Sequence, residues 1–225
     1  MKVLIWLDSL KLMPKKIKNI IFDLDGTLID SAPSILSGFK HVLEINGFEP
    51  SIPLTSSLIG PPLIATLRIV SGVNDEKKLQ QMADQFKSFY DIQGCLISQP
   101  YAAVDDGLKN LVDNGFELHI ATNKRFIPTK NILNHLGWDV LFYSVYTLDK
   151  VGISFPSKSD MIAKQLKDLV LSKDQAIYVG DRIEDMEAAL NNQLNFIGVS
   201  WGYGDFQKDV TVIETFDQLG FLAIS

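Results

Sequence analysis

The chain has 225 residues and a mass of 25.1 kDa, which predicts one domain with a sizeable insertion, or two small domains. Hydrophobic residues at 46%, charged residues at 21%, 15 glycines and 9 prolines exclude disordered, collagen-like and low-complexity architectures. The formal charge is −6 and the basic residues are scattered, so no phosphate-tracking surface and no nucleic-acid partner is expected.

The single cysteine, Cys95, excludes an internal disulfide and a cysteine-based zinc site, and points to a reducing compartment, with the cytoplasm as the expected location. No apolar run approaches the roughly 18 residues of a membrane span. Met1–Leu7 is apolar but meets Asp8 and has no small-residue cleavage site, so residues 1–14 read as an N-terminal extension, not a secretory signal.

In chain order, residues 17–22 form a short β-rich apolar run that meets the polar turn Asp23-Leu24-Asp25-Gly26-Thr27, the pattern of a buried strand ending at a loop. Apolar residues then recur at helical spacing from 34 to 46, where Asn46-Gly47 supplies a stop. A proline-rich stretch with the loop Ile59-Gly60-Pro61-Pro62-Leu63 precedes helices at 63–71 and 75–92, so residues 34–100 read as all-helical. Strand and helix alternate afterwards: helix 105–114, strand 116–122, helix 128–136, strand 140–147, helix 159–170, strand 175–179, helix 183–192, strand 195–199, strand 210–213 and a terminal helical turn. This alternation predicts an α/β fold, a doubly wound, Rossmann-like parallel sheet with ligands beyond the strands' carboxyl ends. The expected division is an α/β core of 15–33 with 101–225, into which a helical domain of 34–100 is inserted.

Three polar clusters fall at predicted strand ends: Asp23-x-Asp25-Gly26-Thr27, Thr122-Asn123-Lys124, and Gly180-Asp181-x-x-x-Asp185. In one crevice, Asp23, Asp25, Asp181 and Asp185 would repel one another by ~4 kcal/mol per pair at ~4 Å and an effective dielectric of ~20. A cation must therefore sit among them, and all-oxygen ligands without histidine or cysteine suit a hard ion such as Mg2+. Alternate residues leaving a strand project to one side, so Asp23 and Asp25 can face the same bound group. One carboxylate can attack phosphorus while the other moves protons. Histidines 41, 119 and 135 have no partner spacing and read as structural.

Phe22-Asp23-Leu24-Asp25-Gly26-Thr27-Leu28-Ile29-Asp30-Ser31 resembles the first motif of the haloacid dehalogenase superfamily phosphatases, in the phosphoglycolate phosphatase-like subgroup with a helical cap after the first core strand. The resemblance spans about 17–215. It implies Asp23 as nucleophile, Asp25 as acid/base with its backbone carbonyl also on the metal, Thr122 as a phosphoryl-binding hydroxyl, Asp181 as a direct metal ligand and Asp185 as its support. The neutralising lysine is assigned to Lys158, in Phe155-Pro156-Ser157-Lys158-Ser159, with Lys150 in reserve. Relatives often carry Lys-Pro at this point, and a small residue pair where this chain has Asn191-Asn192. Asn123, Lys124, Gly60 and Pro61 are candidate substrate contacts, the last two in the cap loop. The implied function is Mg2+-dependent hydrolysis of a phosphomonoester of a small metabolite, phosphoglycolate-like or nucleotide-like, through an aspartyl-phosphate, by a monomer or homodimer without nucleic-acid or membrane partners. Phosphomutase activity, or a non-catalytic binding protein on the same scaffold, is the alternative.

Overall fold

The computed structural model describes residues 17–59, 61–149, 154–206 and 210–224. By internal contacts the chain divides into two compact units. One runs through Ile29, takes in Pro100–Phe126 and resumes at Gly137; the other comprises Asp30–Gln99 and Ile127–Leu136.

The first unit is built on six parallel strands: β1 (Asn19–Phe22), β4 (Glu117–Thr122), β5 (Phe142–Thr147), β6 (Ala176–Gly180), β7 (Asn195–Val199) and β8 (Val212–Ile213), in the order β5-β4-β1-β6-β7-β8. The numbers β2 (Ile29–Asp30) and β3 (Gln99–Pro100) belong to a separate two-stranded pair. These two-residue strands carry no periodicity and have no counterpart in the sequence reading. Helices α4 (Val104–Asp113), α6 (Lys158–Asp168), α7 (Ile183–Asn191) and α8 (Asp217–Ile224) accompany the large sheet. Ile20, Ile21, Phe22, Ile177, Tyr178 and Val179 are all essentially inaccessible, as expected of central parallel strands covered on both faces.

Strand β1 lies between β4 and β6, with Phe22 opposite Ile120 on one side and Val179 on the other. The Asp23 N–H continues the ladder, donating to Val179 O at 2.9 Å. This is the place where strand order reverses, so the loops leaving β1, β4 and β6 open one crevice. The sheet's chemistry-bearing residues are therefore set side by side by backbone pairing alone.

The second unit is helical: α1 (Ala32–Ile45), α2 (Leu63–Ser71), α3 (Glu76–Tyr90) and α5 (Phe126–Leu136, from Ile127 onward). Phe39, Leu67, Met82 and Phe86 form part of its interior, and the Phe39 and Phe86 rings lie 5.0 Å apart. Asp75 caps α3 by accepting the Lys78 N–H. Helix α5 alternates with the strands in sequence, yet it groups with this unit, and Asn131 Nδ2 donates to Asp91 O at 2.7 Å. No helix among the described residues is long and apolar enough to cross a membrane.

A polar seam runs beneath the β1–β4–β5 ladder. His119 is fully buried, with Nε2 3.1 Å from Asn19 Oδ1 and Nδ1 2.9 Å from Ser144 Oγ, and Gln165 Nε2 donates to Ser144 Oγ and to Ile120 O. Burial pushes the His119 pKa down to about 4. Between the ordinary value near 6.5 and about 4 the unfolded chain holds a proton that the folded one lacks, so the stability due to neutral His119 is intact above pH 6.5 and lost as pH falls toward 4. In His119→Gln this loss disappears. The stability gap between wild type and His119→Gln, read by urea unfolding, is expected to shrink by up to about 3 kcal/mol from pH 7 to pH 4; a gap independent of pH contradicts the assignment.

Candidate active site

The turn after β1 carries two carboxylates into different surroundings. Asp23 is buried, and its Oδ1 accepts from Lys158 Nζ at 2.8 Å. The Asp25 side chain, two residues on and one-fifth exposed, receives Lys124 Nζ at 2.8 and 3.1 Å on its two oxygens. Gly26 makes the turn possible. Its φ of 83° lies in the left-handed region, and a β-carbon there would come within 2.7 Å of Asp181 Cγ, a place only glycine can fill.

Thr122 ends β4 fully buried, and its hydroxyl accepts the Lys124 N–H at 3.2 Å, a turn that brings Lys124 back over the crevice. Asn123 between them is exposed. Lys158 is the first residue of α6, whose N-cap Ser157 accepts the Asp160 N–H at 3.1 Å. Its ammonium bridges Asp23 and Asp185 and lies 5.8 Å from the Tyr178 ring centre. Asn192 Nδ2 donates to Ala188 O and Ser159 O, tying the end of α7 to the residue beside Lys158. The asparagine that departs from the small-residue pattern thus works in helix packing.

From β6 come Asp181, with no exposed surface, and Asp185 in the first turn of α7, also buried. Asp185 Oδ2 accepts the Arg182 N–H at 3.1 Å. Asp23, Asp181 and Asp185 each offer a ligand oxygen, all within 4.8 Å of one another. The Asp25 carboxylate stands outside this trio, on Lys124. Of the remaining candidates, Pro61 is exposed just before α2 in the helical unit. Gly60, Lys150 and residues 1–14 lie outside the described residues.

The electrostatics follow from burial. Desolvation raises the Asp23 pKa to about 7, opposed by Lys158 and reinforced by Asp185 and Asp181. Desolvation likewise raises Asp181 to about 6, opposed by the Tyr203 N–H. Burial alone would lower Lys158, but Asp185 and Asp23 outweigh it and hold the ammonium well above its ordinary value. Three carboxylates face one buried ammonium, with the partly exposed Arg182 guanidinium 4.0 Å from Asp181, so the cluster stays net negative when all are ionised. An all-oxygen donor set of this sign and spacing fits a hard divalent cation.

Two features escaped the sequence reading. Lys124 reads there as a substrate contact, and its ammonium also meets both Asp25 oxygens, a contact that has no local sequence signal. The other feature lies in Trp201-Gly202-Tyr203-Gly204, beyond β7, where the Tyr203 N–H donates to Asp181 Oδ2 at 2.8 Å. The pair of glycines two residues apart after a strand was the available signal for such a close approach.

The raised pKa values carry a sign. Asp23 and Asp181 bind protons more tightly folded than unfolded, so their ionisation costs stability that returns as pH falls through about 7 and about 6. A divalent cation competes with those protons. Mg2+ affinity measured calorimetrically is therefore expected to fall at least about tenfold from pH 7.5 to pH 5.5, with proton release near pH 6.5. An affinity unchanged over that range counts against binding at this trio.

Over 200 residues the chain is 32% identical to the tyrosine-protein kinase PtkA of Mycobacterium tuberculosis, covering 87% of this chain and 67% of that one. The solved PtkA structure superposes with a TM-score of 0.76 over 92% of this chain and 99% of that one, at 31% identity. A phosphoglycolate phosphatase of Psychrobacter arcticus is 29% identical over 217 residues, 90% of this chain and 93% of its own. A 5'-nucleotidase of Pseudomonas aeruginosa is 28% identical over 187 residues, 83% and 84% of the two chains. The family described as haloacid dehalogenase-like hydrolase matches residues 20–199. With the acidic trio at the end of its central strands and that match over most of its length, the chain belongs to the haloacid dehalogenase-like hydrolase family.

Proposed function

We propose that the protein is a Mg2+-dependent phosphatase that hydrolyses a phosphomonoester of a small metabolite, phosphoglycolate-like or nucleotide-like, through an aspartyl-phosphate on Asp23. The observation that carries this reading is the placement of Asp23: it is buried, held 2.8 Å from Lys158, and shares a cluster with Asp181 and Asp185. The similarity to a phosphoglycolate phosphatase and a 5'-nucleotidase supports a small phosphorylated substrate.

Asp23, Asp181 and Asp185 would hold the cation, which when bound supplies positive charge beside the reacting phosphoryl group. The Asp23 carboxylate attacks phosphorus in line; the bond to the ester oxygen breaks as the Oδ–P bond forms. Lys158 offsets the negative charge on Asp23 and the oxygens it receives. Thr122, with Asn123 beside it, holds those oxygens through hydroxyl and main-chain donors. Asp25, outside the trio, protonates the leaving alcohol and then takes the proton of the water that cleaves the acyl phosphate. Lys124, through its contact with both Asp25 oxygens, orients that carboxylate beside its role as a substrate contact.

A second reading, transfer of the phosphoryl group to an acceptor other than water, is favoured by the similarity to a protein named as a tyrosine kinase. It shares the first half-reaction and differs in the discharge of the intermediate. Phosphate released in equal amount to alcohol, with no phosphorylated acceptor, separates the two.

The decisive measurement is rapid quench with a 32P-labelled ester in Mg2+. Wild type is expected to show an acid-stable label that turns over, and Asp23→Asn no label and a rate at least about 10³-fold lower. Asp25→Asn is expected to take up label from p-nitrophenyl phosphate, whose leaving group needs no acid, and to discharge it slowly. Label retained in Asp23→Asn sinks the proposal.

A further inference from the structure

The chemistry proposed above gives no part to Trp201–Gly204, which follow β7 after Ser200, yet the main chain of this loop donates a hydrogen bond to Asp181. We propose that this loop fixes the Asp181 carboxylate in the cation site and thereby sets a preference for Mg2+ over the larger Ca2+. The inference rests on the cation reading and extends it to residues outside the acidic trio.

Asp181 has no exposed surface, and beside the carboxylates of the trio its own carboxylate meets the loop, Thr27 and Arg182. The Tyr203 N–H donates to Oδ2 at 2.8 Å, the Thr27 hydroxyl reaches Oδ1 only at 3.4 Å, and Arg182 Nε lies 4.0 Å from Oδ2. The short bond is the one from the loop. Gly202 allows it. A β-carbon at 202 would stand 2.5 Å from the Gly26 carbonyl oxygen and 2.7 Å from Asp181 Oδ2. One of these is backbone and the other a buried carboxylate, so neither can yield without moving the site. The loop is anchored at its other end by the Trp201 indole, whose Nε1 donates to Thr27 O at 3.0 Å. Trp201 thus ties the loop to the turn that carries Asp23 and Asp25, and Tyr203 ties it to Asp181.

Such outer contacts matter because Mg2+ demands nearly octahedral oxygens at about 2.0–2.1 Å, whereas Ca2+ accepts irregular sets at about 2.3–2.6 Å. A carboxylate displaced by a fraction of an ångström costs Mg2+ more than Ca2+. Loss of a partner that orients a ligand typically weakens metal binding about 10- to 100-fold.

Calorimetric titration of wild type, Gly202→Ala and Trp201→Phe with Mg2+ and with Ca2+ tests this, with far-ultraviolet circular dichroism and metal-free thermal midpoints as fold controls. For Gly202→Ala the Mg2+ Kd is expected to rise at least about tenfold and the Ca2+ Kd by clearly less, so that the Mg2+/Ca2+ ratio shifts toward Ca2+. Trp201→Phe should shift the ratio in the same direction by a smaller factor, and it carries the test if Gly202→Ala does not fold. Folded variants with wild-type Kd values, or with both Kd values raised equally, overturn the role of the loop and leave the cation reading standing. A wild type that binds neither ion removes that reading and this inference together.

Discussion

The α/β unit is organised around a charge imbalance that it cannot avoid: three buried carboxylates face one buried ammonium at the carboxyl end of the sheet. In water such a group would spread apart. Here the backbone forbids it, because Asp23 is locked to β6 by its own N–H, and Asp181 and Asp185 leave that same strand. Desolvation then acts on charges with fixed positions and pushes Asp23 and Asp181 to about 7 and about 6, while Asp185 and Asp23 hold Lys158 ionised against its own burial. The protein stores at this point an affinity for positive charge.

Supporting that position takes more than the ligands themselves. Lys158 must be delivered from the start of α6, and Asn192 fastens the neighbouring Ser159 to the end of α7. Tyr178, one strand position before Val179, donates its hydroxyl to Ala121 O at 2.6 Å, spanning from β6 to β4 beneath the crevice. The sheet order does the rest. With β1 between β4 and β6, residues separated by a hundred positions in sequence become neighbours by register, without any loop having to find them.

This division explains what could be read from the sequence. The parallel core was legible because buried strands such as Asn19–Phe22 and Ile177–Val179 are short apolar runs punctuated by helices, and Asp-x-Asp, Thr122 and Gly180-Asp181 fall at their ends, where the fold class predicts ligands. Strand β7 was located at its observed limits, and α2 likewise. What stayed hidden depends on contacts that no local pattern encodes. The β2–β3 pair is too short for a period. Helix α5 has the sequence position of a core helix, but its packing is decided by partners such as Asp91, forty residues earlier. Lys124 carries the same charge whether it faces solvent, substrate or Asp25; only the turn made by Thr122 determines which. The Tyr203 amide is a backbone group, and nothing about the side chain at 203 announces where its N–H points.

The two aspartates of the first motif show how one dipeptide spacing yields two chemically different groups. They follow β1 two residues apart, yet Asp23 meets a lysine from α6 together with two like charges, whereas Asp25 meets a lysine from the turn after β4 and no further carboxylate of the trio. Asp23 is buried and part of a site that attracts a cation; Asp25 keeps access to solvent, with about one-fifth of its side chain exposed. The role proposed for Asp23 as nucleophile suits the first environment, because positive charge must remain beside it as it bonds to phosphorus. The role proposed for Asp25 as proton carrier suits the second, because it must meet both an alcohol and a water. The difference originates outside the motif, in which strand end supplies each lysine. An aspartate pair at this spacing on a different strand order would lack the separate partners that set its members apart.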